Sequence, residues 1–316
     1  MVGVPLSSRV ARAQQTVPII GVLSVGPTGG LKEFLAPALT RLAEMGFADG
    51  RNLTIEYRGA DHQQERLVAL ATEFAERRVA AIVTLGGPPT VAAKAATQSI
   101  PIVFRTGFDP VASGFVASLS RPAGNVTGIY ILNPRLILKR LEVLHELAPA
   151  AKTIAFFYTD TGDANEKFYK DALERAAEPL GVRMILLNTG RVDEIEKLFA
   201  KAESEGAGAV LVNDHPVFAT DNGKLIAGLA ARYKMPAMYP ARNYVSVGGL
   251  ASYGSDSSEA NRQLGDLVGR VLGGQKPEDL PVQQVTKVEL VVNAKTAKSL
   301  DLAIPLPLLG LAEVID

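Results

Sequence analysis

The stretch from Val83 to Gly114, VTLGGPPTVAAKAATQSIPIVFRTGFDPVASG, contains one structural unit twice. In each copy an apolar run ends in small, polar or turn-forming residues, and a helix-like segment follows. VAAIVTLG, ending at Gly86, is continuously apolar rather than alternating, which marks a strand buried on both faces. Gly86-Gly87-Pro88-Pro89 interrupts it, and the pattern predicts a helix from about Thr90 to Thr97. IPIVFRT is the second strand, and VASGFVASL is predicted as the second helix. Strands alternating with helices build a parallel sheet covered on both faces.

The same grammar extends outward in both directions. Upstream, IIGVLSV (Ile19–Val25) reads as a strand, Leu31 to Met45 as one helix stopping at Gly46, NLTIEYRGA as a strand and residues 64–78 as an amphipathic helix. Downstream, NVTGIYIL is extended and Pro134 to Leu147 helical. KTIAFFYTD, VRMILLNT, AGAVLVNDHP, MPAMYP and GGLASYG read as strands separated by helices over about 163–180, 192–204 and up to Tyr233. A helix over 257–272 and the strand-like VTKVELVVN close the chain. The expected fold class is α/β, with two doubly wound parallel-sheet lobes. The expected division is a leader at 1–17, an N-lobe of 18–127 plus 253–283, and a C-lobe of 128–252 plus 284–316.

Composition narrows the function. With 33 basic and 33 acidic side chains, no net field draws the chain toward nucleic acid or an acidic membrane. No cysteine is present, which excludes disulfides, thiolate catalysis and zinc–thiolate sites. His62, His145 and His215 match no metal spacing, so neither a metal nor another cofactor is expected. No run of roughly 18 apolar residues is long enough to span a membrane. Ala11-Arg12-Ala13 followed by Gln14-Gln15 has the small residues that signal peptidase reads, so residues 1–13 read as the tail of a secretion signal or as a disordered leader. GVLSVGPTGG lacks the Lys-Ser/Thr of a phosphate-binding loop, GGPPT is no dinucleotide fingerprint, and no G-x-S-x-G elbow occurs. No catalytic residue is assigned, although a small-molecule α/β enzyme stands as an alternative.

In open parallel sheets, ligands sit beyond the carboxyl ends of the strands. The loops there are Ser24–Gly30, Leu85–Pro89, Thr106–Pro110, Thr159–Asp163, Asn213–Pro216 and Tyr239–Arg242. Helix N-termini follow several of them, and their free backbone N–H groups suit a carboxylate or another anion.

At FDPVASGFVASLSRPAGNVTGI the chain resembles a known family. LAEMGFADGRNLTIEYR, PPTVAAKAATQSIPIVF, GGLASYGSD and LGGQKPEDLPVQQVTKVELVVNAKTAKSLDLAIP carry the same likeness, which covers nearly all of residues 18–312. The family is that of the ABC-transporter substrate-binding proteins, whose best-understood relatives bind tryptophan and similar amino acids. The resemblance implies a type I periplasmic-binding-protein fold, with two lobes, three chain crossings and a ligand trapped by hinge closure. It implies export to the periplasm, a monomer, and an ABC permease with its ATPase as partners. A periplasmic sensor of the same fold is the other alternative.

Carried over residue by residue, the resemblance lines the cleft with Ser24, Gly86, Gly87, Asp109, Tyr158, Thr159, Asp160, Thr161, Asn213 and Asp214. The acidic residue after a polar one, at Asn213-Asp214, takes a ligand ammonium in amino-acid-binding relatives. Departures are visible too. Gly87-Pro88-Pro89 stands where relatives often have Ser or Thr before the proline. Arg105 and Phe108 occupy a loop that is more usually small and neutral, and Ala241-Arg242 replaces an acidic pair found in some relatives. Arg105 and Arg242 therefore join the candidate ligand-binding set, and the ligand is expected to be small, polar and amino-acid-like, aromatic or acidic.

Each candidate has a second reading. The loop glycines serve tight turns as well as ligand approach. Asp109 before Pro110 is a helix N-cap candidate. Arg105 and Arg242 also read as surface ion pairs, and Tyr158, Phe218, Tyr239 and Tyr244 as core or wall.

Overall fold

The computed structural model describes residues 17–131, 136–159, 164–218 and 220–316. The leader residues 1–16 and the candidate residues Asp160 and Thr161 lie outside the described residues.

Thirteen strands run through the described residues. They are β1 (Ile19–Ser24), β2 (Thr54–Gly59), β3 (Ala81–Leu85), β4 (Ile102–Thr106), β5 (Val126–Ile131), β6 (Thr153–Tyr158), β7 (Arg183–Asn188), β8 (Ala209–Val212), β9 (Ala237–Tyr239), β10 (Ala251–Ser255), β11 (Gln283–Val285), β12 (Val288–Asn293) and β13 (Ala312–Ile315). The first sheet has the order β11-β5-β4-β3-β1-β2 and is parallel throughout. The second has the order β13-β12-β10-β9-β8-β6-β7. It is parallel except that β12 runs antiparallel to β10, with β13 following β12. Both sheets are thus mostly parallel and flanked by helices, the α/β class expected.

Period-two alternation sends side chains to opposite faces. In β6, Ile154, Phe156 and Tyr158 enter one core, and Ala155 and Phe157 the other. Each sheet therefore separates two apolar layers. On the first sheet, helices Ala36–Glu44 and Ser257–Leu272 cover one face, and Arg66–Glu76 and Gly87–Ala96 the other. On the second, Ile137–Leu147 and Ala164–Ala177 cover one face, and Ile195–Ser204 and Thr220–Arg232 the other. Ser257–Leu272 lies directly against Ala36–Glu44. A Cβ on Gly265 would stand 2.4 Å from the Ala38 carbonyl oxygen, so only glycine permits this approach.

The chain passes between the sheets three times: between β5 and helix Ile137–Leu147, between β10 and helix Ser257–Leu272, and between β11 and β12. The expected boundary at 127/128 falls inside β5, which pairs with β4 up to Thr106–Tyr130. The one at 252/253 falls inside β10, and the one at 283/284 inside β11.

Three local expectations differ from the structure. Leu31–Met45 is two helices, Leu31–Phe34 and Ala36–Glu44, broken ahead of Pro37, which has no N–H to continue the ladder. Residues 111–119 form turns and not a helix. The Asp109 carboxylate accepts from the Val111 and Ala112 N–H groups, and the turn ends at Gly114 with φ of 66°. VTKVELVVN is not one strand: Val285 ends β11 in the first sheet and Val288 begins β12 in the second.

Candidate functional site

The carboxyl ends of β1, β3 and β4 bring together the loops after Ser24, Leu85 and Thr106. Ser24 is buried, and its Oγ accepts from the Gly26 N–H at 3.2 Å, closing the turn after β1. Gly86 has φ of 106° and donates its N–H to the Arg105 carbonyl at 2.8 Å, fastening the end of β3 to the end of β4. Its own carbonyl accepts from the buried Thr90 hydroxyl at 2.7 Å. Gly87 opens helix Gly87–Ala96, and a Cβ there would meet the Phe108 ring at 2.9 Å. These glycines thus serve the turn and the packing of Phe108. Asp109 caps the following turn through its Oδ1, at 3.0 Å to each of two N–H groups.

Arg105 is the charged group of this rim. Its guanidinium carbon lies 4.9 Å from the centre of the Phe34 ring, and Nη2 donates to Ser257 Oγ at 3.3 Å. Nε is buried without an acceptor. Burial pulls the guanidinium down to about 10, and the charge of Asp214 acts in the opposite sense. Asp214 follows β8 of the second sheet.

The second wall is built from β6, β8 and β9. Asn213 is buried, and its Oδ1 accepts from the Asp214 N–H at 2.8 Å, turning the chain so that Asp214 is exposed. Tyr158 is buried in the core, stacked on Phe156 at 5.7 Å, with the Lys170 ammonium 5.0 Å over its ring. Thr159 donates its hydroxyl to the Thr189 carbonyl at 2.8 Å. Tyr244 donates its hydroxyl to the Phe218 carbonyl. Burial raises the Tyr244 phenol well above its ordinary range, with the Asp214 charge adding to the effect.

Arg140, absent from the sequence-derived candidates, is fully buried beneath this wall. Nε donates to the Tyr253 carbonyl at 2.6 Å and Nη2 reaches the Pro240 carbonyl at 3.5 Å, while Nη1 has no acceptor. Burial pulls its guanidinium down, partly offset by Asp214. In the sequence it sits in LKRLEVLHEL, where Lys139-Arg140 looks like a solvated helix face.

Arg242 is held away from this group. Its fork lies on Glu313, with Nη1 to Oε2 at 2.6 Å, and on Glu289 at 3.4 Å. Hydrogen bonding to Glu313 pushes its guanidinium further up. Arg105 and Asp214 thus stand at the carboxyl ends of strands in opposite sheets, and Arg242 is paired with two carboxylates at the β12–β13 side.

No cluster of three His, Cys, Asp or Glu side chains among the described residues could hold a metal ion, and no helix among them is long and apolar enough to cross a membrane. A cavity between Ile20, Val22, Leu35, Leu264 and Val268 lies inside the first lobe, lined by apolar side chains and Gly265, and offers no polar group to a ligand.

Residues 28–315 match the family described as "ABC transporter substrate binding protein". The chain belongs to that family. It is 28% identical over 263 residues to a "Tyrosine-binding protein" of Clostridioides difficile, covering 83% of this chain and 74% of that one. Among solved structures, the ABC domain in complex with L-Trp from Streptococcus pneumonia is 25% identical, with a TM-score of 0.83 over 95% of this chain and all of that one. A conserved domain protein from Vibrio cholerae is 26% identical, with a TM-score of 0.84 over the same shares. The fold of this ABC transporter substrate-binding protein is that of the type I periplasmic binding proteins. Ligands of its relatives include amino acids.

Proposed function

We propose that this substrate-binding protein is the exported, extracytoplasmic receptor of an ABC importer. It captures a small amino-acid-like ligand between two lobes and presents it, as a monomer, to a permease and its ATPase. The lobes are 18–131 with 257–285, and 137–255 with 288–316, and the three crossings act as the hinge. The observation that supports this reading is that Arg105 and Asp214 stand at the carboxyl ends of strands in opposite sheets, with the Arg105 Nε buried and without an acceptor. A zwitterion fits between opposite charges supplied by different lobes. A ligand that touches both lobes favours the closed arrangement by its differential affinity for it. The names of the Clostridioides and Streptococcus relatives support an amino-acid ligand.

The test is mass spectrometry of small molecules released from the purified protein, followed by thermal melts with the common amino acids. At a hundred times its Kd, a ligand stabilises the folded state by about 2.7 kcal/mol, which is several degrees in Tm for a chain of this size. A rise with at least one amino acid is expected. No rise with any amino acid, or chemical conversion of the added compound, contradicts the reading.

A further inference from the structure

We propose that Arg140 is a positioning residue of the hinge. Its buried guanidinium ties the helix entered from the first crossing to the strand that leads into the second, and ties both to the turn at Pro240. Calling these crossings a hinge rests on the two-lobe capture reading above; the tie itself needs no ligand.

Arg140 is the fourth residue of helix Ile137–Leu147, which the first crossing enters. Ile137, Arg140, Leu141 and Leu144 are all fully buried, at the spacing of one helix face, so the side chain is directed into the second lobe. It meets a gap in the sheet there. β9 ends at Tyr239, and its pairing with β10 stops at Ser252. Pro240 has no N–H with which to continue the ladder. β10 runs on to Ser255 with β12 as its strand partner. The guanidinium bridges the two sides of the gap: Nε donates to the Tyr253 carbonyl at 2.6 Å, and Nη2 reaches the Pro240 carbonyl at 3.5 Å.

The energetics favour a tie over a filler. For packing alone, an apolar side chain of similar volume does better than a buried cation, because it has no donors to satisfy. Nη1 is buried without an acceptor, which adds to the cost. What the guanidinium contributes is therefore the two carbonyl contacts, and their value lies in what they join. Beyond Tyr253 the chain continues to Asp256, whose N–H donates to the Lys287 carbonyl at 3.0 Å in the third crossing. Arg140 thus links the first crossing to the second, as Asp256 links the second to the third. The second-lobe ends of all three crossings form one piece with the Pro240 turn. Bending is left to the first-lobe side of that piece, at the Asp256–Ser257 and Val285–Thr286 links.

Hydrogen exchange read by mass spectrometry tests this on the ligand-free wild type, Arg140→Met and Arg140→Lys. Methionine keeps much of the packing and loses both donors, whereas lysine keeps a donor. Arg140→Met should exchange about 10-fold faster over 239–244, 251–258 and 285–290, while β6, β8 and the first sheet stay as protected as in the wild type. Arg140→Lys should recover part of that protection. Faster exchange in β6 and β8 as well would make Arg140 a packing residue only and overturn the proposal, as would wild-type exchange over the three segments. No ligand is present, so these outcomes stand apart from whether an amino acid binds. If Arg140→Met fails to fold, Arg140→Lys decides alone: faster exchange confined to the three segments is expected, and wild-type exchange there overturns the tie.

Discussion

Asp256 and Lys287 join two of the three chain crossings to each other. Lys287 Nζ lies 2.7 Å from Asp256 Oδ2, and the Asp256 N–H donates to the Lys287 carbonyl at 3.0 Å. The same Asp256 caps helix Ser257–Leu272, its Oδ1 accepting from the Ser258 and Glu259 N–H groups at 2.9 and 3.0 Å. One carboxylate thus ties two of the crossings together and starts the long helix of the first lobe.

Asp256→Ala should destabilise the protein by about 1 kcal/mol through loss of the cap. Lys287→Ala, with a largely exposed side chain, should change the melt little. Denaturant melts of the two variants check this, and equal effects would mean that the ion pair, not the cap, matters.

Acid should act through the same group. Burial pushes the Asp256 carboxyl up, but the Lys287 ammonium and the two backbone N–H groups outweigh it and hold it below the usual 3.8. A depressed value means that the stabilisation is complete above the unfolded-state value and is lost as pH falls through the folded one. Melts between pH 6 and pH 2 should therefore show a smaller acid-induced loss in Asp256→Asn than in the wild type.

Arg140→Ala should cost about 2–5 kcal/mol, because it opens a large buried space and strips the Tyr253 and Pro240 carbonyls of a donor. Gly265→Ala should cost about 1–3 kcal/mol by forcing the two helices of the first lobe apart. A melting temperature within a degree of wild type in either variant would contradict the packing described.

Asp214→Asn should weaken an amine-bearing ligand by about 10- to 100-fold, the range of a charge-assisted hydrogen bond. Titration of both proteins with the same amino acid separates binding from folding.

The strand-and-helix alternation was legible because apolar runs such as AIVTL and IVFRT can only be satisfied between two layers. What was not legible depended on contacts distant in sequence. Val285 and Val288 look like one strand, and only pairing with β5 and β10 assigns them to different sheets. Arg242 read as a cleft residue because it ends a strand, but Glu313, 71 residues later, holds it. Arg140 resembled a surface cation because its partners are backbone carbonyls, which leave no trace in side-chain type. Arg105 was visible as a charge at a strand end, whereas its lack of a contacting carboxylate is a property of the folded chain.

Capture between the lobes is tested most directly by small-angle scattering with and without a saturating amino-acid ligand. A two-lobed receptor that closes on its ligand should show a smaller radius of gyration in the ligand's presence. An unchanged radius, with binding verified by calorimetry on the same sample, would contradict closure about the three crossings.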